Sequence, residues 1–174
     1  DDAQPFCAGG EIFFYPNSNN DDGGLPSAES GPNYGCLSGN QPYPAWFYLQ
    51  VEEGGDIEFE LKQNTQQDFT GSGLDVDFKV WGPFNSIDGN CDDLNQSNEV
   101  PDLPNGSPLD GCSWAIDAVE NMGIPDAQAG KIYIVVITNY DEGQGFISFE
   151  QTNANDPGAG STSCPILASD IQAC

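Results

Sequence analysis

The 174-residue sequence has no histidine, no arginine and only three lysines, against 28 aspartates and glutamates, for a formal charge of −25. Each gap excludes a chemistry. Without histidine there is no Ser-His-Asp or Cys-His nucleophile, no His-ligated catalytic zinc and no imidazole acid/base. Without arginine there is no bidentate clamp for phosphate or carboxylate. Without a basic surface, DNA, RNA and anionic lipid headgroups are repelled, so neither nucleic acid nor a membrane surface is an expected partner. No apolar run approaches the roughly 18 residues that a spanning helix needs. No Cys-x-x-Cys pair marks structural zinc. Cationic partners stay open, divalent metals first among them.

What is present argues for a folded chain despite the charge. The sequence carries 10 Phe, 6 Tyr and 3 Trp in short patterned runs, which disordered acidic chains lack. Its length suits one compact domain with a real core. The 21 glycines and 13 prolines suit an all-β protein punctuated by turns. Six cysteines, Cys7, Cys36, Cys91, Cys112, Cys164 and Cys174, make an even set. Disulfides in an oxidising compartment are the better reading of such a set. Sequence does not fix their connectivity; the simplest expectation pairs neighbours, Cys7 with Cys36, Cys91 with Cys112 and Cys164 with Cys174. The chain starts at Asp1 rather than Met and reads as a mature secreted chain or a piece of one, its signal peptide removed.

Period-two apolar patterns predict strands. In 56–63, Ile57, Phe59 and Leu61 share one face, with Glu58, Glu60 and Lys62 opposite. In 75–81, Val76, Phe78 and Val80 share one face, with Asp75, Asp77, Lys79 and Trp81 opposite. Residues 45–51 and 132–138 are apolar almost throughout and read as central strands. A strand at 145–151 after Asn139, Tyr140, Asp141, Glu142 and Gly143 predicts a hairpin with 132–138. Residues 11–15 and 114–119 are further candidates. About seven strands and no amphipathic helix predict an antiparallel β-sandwich or jelly roll with long disulfide-pinned loops. The loops are 17–33 and 84–111, and loops this long inside a compact domain are usually functional or need pinning. Residues 1–152 are expected to form the sandwich, and 153–174 a linker with a Cys-closed tail.

Calcium is the strongest cofactor that this composition permits, because it takes six to eight oxygen ligands. Asp88, Asn90 and Asp92 have the spacing of a calcium-binding loop, with Glu99 at the twelfth position; Asp93 stands where that loop wants glycine, and no helices flank it. Asp75 and Asp77 form a second candidate: turned inward they need a cation or hydrogen-bond donors, and turned outward they merely repel. Asn139 and Asp141, with Glu142, are a third, which a turn explains equally well. The loop containing Asn17, Asn19, Asp21 and Asp22 is a weaker fourth.

Flat aromatic faces beside Asp, Asn and Gln can stack on sugar rings. Trp81 and Trp114 are the ligand-binding candidates, although a sandwich core also uses such residues, and Trp46 and Phe47 read as core. A glycosidase pair of carboxylates is the one enzymatic option left, and 28 acids make some such pair a matter of chance. No catalytic residue is assigned, and a non-enzyme is expected.

A family resemblance rests on ordered blocks: Pro5, Phe6 and Cys7; Phe14, Tyr15 and Pro16; Tyr34 to Leu37; Pro44 to Tyr48; Leu74 to Phe78; Trp81 to Phe84; Cys112 to Trp114; Ile124 to Gly130; and Ile137 to Tyr140. From Phe6 to Cys164 the chain resembles a secreted domain near the N-termini of large Bacteroidota surface proteins, many with a gliding-motility-associated sorting region. Family members usually have tyrosine where this chain has Trp114. The blocks around Asp75 and from Gly130 to Tyr140 are also similar to the bacterial pre-peptidase C-terminal domain, a β-sandwich whose members often bind calcium and attach to surfaces or carbohydrate. The resemblance implies export by the type IX route and a secreted or cell-surface location. It implies a module of a larger polypeptide that recognises a cell-surface protein or glycan, and no catalytic residue. A carbohydrate-binding module, or a subunit or substrate of the secretion and gliding apparatus, is the alternative expectation.

Overall fold

The computed structural model describes residues 3–7, 13–17, 27–104 and 106–163. They form two β-sheets, with no α-helix among the described residues and only short 3-10 turns at Cys91–Asp93 and Gln96–Asn98. The strands are β1 (Gln4–Pro5), β2 (Phe13–Asn17), β3 (Ala45–Glu53), β4 (Gly55–Asn64), β5 (Val76–Phe84), β6 (Cys112–Ser113), β7 (Val119–Ala127), β8 (Ile132–Asn139), β9 (Gly145–Gln151) and β10 (Ser161–Thr162). One sheet has the order β1-β3-β8-β5-β6, with β10 also on β3; the other has β2-β9-β4-β7. Apart from the parallel β1–β3 pair, neighbours are antiparallel.

Alternation builds the core. Phe47, Leu49 and Val51 of β3, Val76, Phe78 and Val80 of β5, and Tyr133, Val135 and Ile137 of β8 face Ile57, Phe59 and Leu61 of β4, Met122 and Ile124 of β7, and Ile147 and Phe149 of β9. Phe6 enters from the N-terminal segment and stacks on Phe149, ring centres 4.7 Å apart. The chain leaves β3 for the opposite sheet through Gly55, at φ 145°, where a Cβ would lie 2.2 Å from Gly158 O.

Five predicted strands are present as β3, β4, β5, β8 and β9. The predicted strand over 114–119 is not one; 114–118 is a loop and β7 starts at Val119. Gly123 and Pro125 break the alternation of β7, and its edge position tolerates the N–H that proline lacks. In place of the predicted strand at 11–15 the structure has β2, and residues 11 and 12 lie outside the described ones. The hairpin expected between β8 and β9 does not form. β8 pairs with β3 and β5, and β9 with β2 and β4, so residues 140–144 arch from one sheet to the other. β8 is buried along almost its whole length and takes the centre of its sheet, flanked on both sides.

The expected cysteine pairing is also corrected. Cys36 is bonded to Cys112, across 76 residues of sequence, so neither Cys7–Cys36 nor Cys91–Cys112 exists. Cys7 and Cys91 are themselves disulfide-bonded. Cys164 and Cys174 lie outside the described residues. Neighbour pairing minimises loop length, but a long closure removes more unfolded-state entropy, about 4 kcal/mol for this one on a chain-entropy basis. Disulfides persist in oxidising compartments, which places the chain outside a reducing cytoplasm. No helix among the described residues is long and apolar enough to cross a membrane.

Residues 153–163 stay on the sandwich: Asn153 Nδ2 donates to Asp56 O at 2.9 Å, and β10 pairs with β3. The predicted loop over 84–111 and the residues from 27 to 44 cover the outward face of the larger sheet. There Trp81, Tyr48, Ile134 and Val136 pack against Leu37, Phe84, Ile87 and Leu94. The two covering segments hold each other through Asn33 N–H to Leu94 O at 2.7 Å and the Cys36–Cys112 bond.

Candidate functional site

At one end of this covered face the cover stops short and leaves a cleft of about 460 Å³. Its first wall is the segment from Cys36 to Asn40. Its second wall is the loop after β6, carrying Trp114 and Ile116. Tyr140, from the arch after β8, stands at its rim, and Asp75 and Asp77 contribute to its base. The Cys36–Cys112 disulfide ties the two walls together where they meet.

Local hydrogen bonds fix these pieces. The 114–118 loop is clipped to both sheets: Gln63 N–H donates to Ala118 O at 3.0 Å and Val76 N–H to Asp117 O at 3.2 Å. In the arch, Glu142 takes φ 58° and its N–H donates to Asn139 O at 3.2 Å, while Asn139 Nδ2 donates to Gly143 O at 2.5 Å. Asp141 folds back so that its Oδ2 accepts from Asp75 N–H at 2.8 Å. Asp75, Asp77, Asn139 and Asp141, two separate candidates in the sequence, therefore lie at the same end of β5 and β8.

The acids of the cleft, Asp75 and Asp77 in its lining and Glu120 coupled to them from outside it, have no cation beside them. Asp77 lies across from Thr138 in the β5–β8 register. Asp77 and Glu120, on the edge strand β7, are each 6% exposed. Burial raises Asp77 to about 7, with Asp75 and Glu120 adding repulsion. Burial likewise raises Asp75 to about 6, with help from Asp141 and Asp117. Glu120 rises to about 7 through burial, against a lowering hydrogen bond from Ser113, with Asp117, Asp110 and Asp75 repelling it. Asp75 Oδ1, Asp77 Oδ1, Glu120 Oε1 and Thr138 Oγ1 are buried without a hydrogen-bond partner, an expensive arrangement at about 1–3 kcal/mol per group. The lysines are engaged elsewhere: Lys62 pairs with Glu60, Lys131 Nζ donates to Asn85 Oδ1 at 2.5 Å, and Lys79 turns toward Glu99.

Glu120 is the residue that sequence reasoning missed. It lies in the strand disguised by glycine and proline, and its pairing with Leu61 turns it to the buried side of β7. The signal available was that Glu120 and Met122 alternate, which puts an acid in register with a core residue.

The other predicted residues fall apart spatially. Asn90 is buried and its Nδ2 donates to Ser86 O, while Asp88 and Asp92 are exposed. Glu99 sits opposite Trp81 in an isolated bridge and sends Oε2 to within 3.4 Å of Lys79 Nζ, so the twelfth position of the loop is spent on an ion pair. Among the described residues no three or more Cys, Asp or Glu side chains are drawn into a metal-ligand group. The Asp75, Asp77 and Glu120 carboxylates with the Thr138 hydroxyl are nonetheless hard oxygen donors of the kind that calcium takes. Trp81 is corrected as a ligand-binding residue: it is fully buried and its Nε1 donates to Asn33 O at 3.2 Å. Trp114 is 70% exposed and lines the cleft. Trp46 stacks on Trp81 at 5.9 Å, and Phe47 lies in the core, as expected of both.

No protein-family model matches the sequence, and no curated protein matches it. Structural similarity is found to several solved chains, among them the following two. One is the pre-peptidase C-terminal domain of a collagenase from Bacillus anthracis, with a TM-score of 0.45 and 8% identity over 86% of this chain and 94% of that one. The other is CorA of Methylomicrobium album BG8, described as a surface-associated copper-binding protein important in copper acquisition, with a TM-score of 0.46 and 10% identity over 92% of this chain and 98% of that one.

Proposed function

We propose that this chain is a non-catalytic recognition module of a larger secreted or surface-attached bacterial protein, and that the cleft is where it meets its partner. One observation carries the reading. Four large hydrophobic side chains are exposed among the described residues, and three of them, Trp114, Ile116 and Tyr140, line this one cleft. Exposed apolar side chains scattered singly need no explanation, but a cluster around a pocket marks an interaction site. The disulfides support an extracytoplasmic setting, and the sequence resemblance to Bacteroidota surface domains supports type IX export and an adhesive role.

Calcium belongs to this reading as the cation that offsets Asp75, Asp77 and Glu120, with the Thr138 hydroxyl and the Asp141 carboxylate at hand. Its presence would stabilise the fold and fix the cleft base. A glycan is the second reading of the ligand, favoured by Trp114 and Tyr140 standing exposed beside Asn40 and Ser38.

Two measurements test the proposal. A glycan array and a displayed library of random heptapeptides are probed with the wild type and with Trp114→Ala. Selective enrichment lost in the variant is expected; no enrichment, or enrichment indifferent to Trp114, overturns the recognition site. Thermal melts in EDTA and in excess calcium address the metal: a rise of about 5 °C corresponds to a calcium concentration well above the dissociation constant, and identical curves overturn calcium binding.

A further inference from the structure

We infer that the cleft receives a cationic side chain, a lysine or arginine presented by a polypeptide partner, with its charge directed at Asp75 and Asp77 and its stem against Trp114, Ile116 and Tyr140. This rests on the recognition site proposed above and names the chemistry of its ligand.

The argument is one of complementarity. Trp114 and Tyr140 are 70% and 59% exposed at the rim, and aromatic faces attract ammonium and guanidinium groups. The aliphatic stems of lysine and arginine cover apolar surface while the head stays with charge. At the base, Asp77 is nine-tenths buried with an Oδ1 that has no partner, so the acids are more than a solvated cluster. The groups that act on them electrostatically are all acidic: Asp75, Asp117, Glu120, Asp141 and, further along, Asp110. Lys79, the next residue on this face of β5, is turned away to Glu99. Asp75, Asp77, Asp117, Glu120 and Asp141 all act in this cluster, and a single calcium ion, at two positive charges, does not offset all five when they are ionised. A neutral sugar could donate hydroxyl hydrogen bonds to these carboxylates but would leave their charge unbalanced. A second copy of this chain, itself at −25, is repelled.

The test is a titration of the 15N-labelled protein, followed by NMR, with acetyl-Gly-Lys-Gly-amide and acetyl-Gly-Arg-Gly-amide. The same tripeptides carrying acetyl-lysine or citrulline are the uncharged controls. The Trp114 indole N–H should shift while that of buried Trp81 stays still. Affinity should fall about tenfold on loss of the ligand's charge, in Trp114→Ala and in Asp77→Asn, and it should weaken at high salt. Trp114→Ala removes an exposed side chain and leaves the core intact, and retained amide spectra verify the fold. Equal binding of charged and uncharged peptides overturns the proposal, as does binding strengthened by calcium, which would mean that ligand oxygens sit on the ion. Binding of an oligosaccharide with no peptide binding overturns it too while leaving the recognition reading intact. Absence of any ligand response at Trp114, from glycans and peptides alike, overturns both.

Discussion

On the outward face of β5, Lys79 and Asp77 are successive residues, and the acids around each are handled differently. Around Lys79 the acids have a cation among them, although Glu99 Oε1 is buried without a partner. The ammonium is fully buried, 3.4 Å from Glu99 Oε2, with Asp102 and Asp110 close enough to favour its charged form. Asp110 in turn accepts from Leu103 N–H at 2.9 Å and from Cys112 N–H at 3.1 Å through the same oxygen. Around Asp77 nothing is matched: Asp75 and Glu120 repel it, and its Oδ1 has no donor. The matched end is sealed by the 84–111 loop, whereas the unmatched end opens into the cleft. Where buried acid serves the fold, the chain supplies one of its three lysines. Where none is supplied, the acids are neutralised by taking up protons or by the external cation proposed above.

The largest effect expected is from breaking the matched end. Lys79→Met leaves Glu99 and Asp110 without their cation, and removing one partner of a buried pair costs about 3 kcal/mol, or about 9 °C in melting temperature for a chain of this size. The double variant Lys79→Met with Glu99→Gln should recover much of that loss. If both variants melt with the wild type, the pair contributes nothing and the contrast between the two ends disappears.

The unmatched end should show itself through pH. Asp75, Asp77 and Glu120 are raised in the folded state from ordinary values of 3.8, 3.8 and 4.5 to about 6, 7 and 7. A raised acid binds its proton more tightly when folded, so its favourable contribution is complete below the unfolded value and disappears as pH rises through the folded one. In EDTA, stability should therefore fall between about pH 4 and pH 7 by about 2 kcal/mol or more. Lys79, lowered by burial, works in the opposite sense, so its contribution rises with pH and Lys79→Met separates the two. Excess calcium should flatten the profile, since it favours the ionised carboxylates. A profile in EDTA that stays level or rises would mean that these acids are not held apart from solvent as described.

Asp77→Asn sharpens the contrast at one position. The amide removes the charge, keeps the shape and offers an N–H to neighbours such as Thr138 Oγ1. In EDTA near neutral pH the variant should gain about 1 kcal/mol, about 3 °C in melting temperature. It should also lose most of the response to calcium. A gain in stability with an unchanged calcium response would place any bound ion elsewhere.

Much of this was legible in the sequence, and the failures have physical causes. Alternation marked β4 and β5 because each carries a run of apolar residues at period two. It also put Asp75 and Asp77 on one face, but whether that face meets water depends on loops more than thirty residues away in sequence, such as the one bearing Leu37. Trp81 shared their face and looked available for a ligand for the same reason; the cover that buries it comes from Asn33, Tyr34 and Leu94. Glu120 was hidden because Gly123 and Pro125 obscure an edge strand. The hairpin between β8 and β9 failed because a five-residue connection can turn within a sheet or arch between sheets, and local sequence does not distinguish them. Cysteine connectivity depends on the same long-range arrangement.

The smallest effect belongs to the segment whose spacing most resembled a calcium loop. Most of its residues are already engaged: Asn95 Oδ1 accepts from Ser97 N–H at 2.9 Å, Asn98 Nδ2 donates to Asp93 O at 2.8 Å, and Glu99 Oε2 is turned to Lys79, leaving only its Oε1 without a partner. Asp88 and Asp92 face solvent. Asp88→Asn combined with Asp92→Asn should leave melting temperature within about 1 °C, the range of ordinary surface substitutions, and should leave the calcium response at Asp77 unchanged. A calcium response abolished by this pair and retained in Asp77→Asn would reverse the comparison, making the 88–99 loop the metal site and the acids beneath Trp114 a purely structural cost. The spacing of acids along a chain generates such loops freely in a sequence this acidic. Burial without a partner opposes folding, and although Glu99 Oε1 shares it, Glu99 has Lys79 beside it while Asp77 and Glu120 have no cation, which is why the weight falls on them rather than on the better motif.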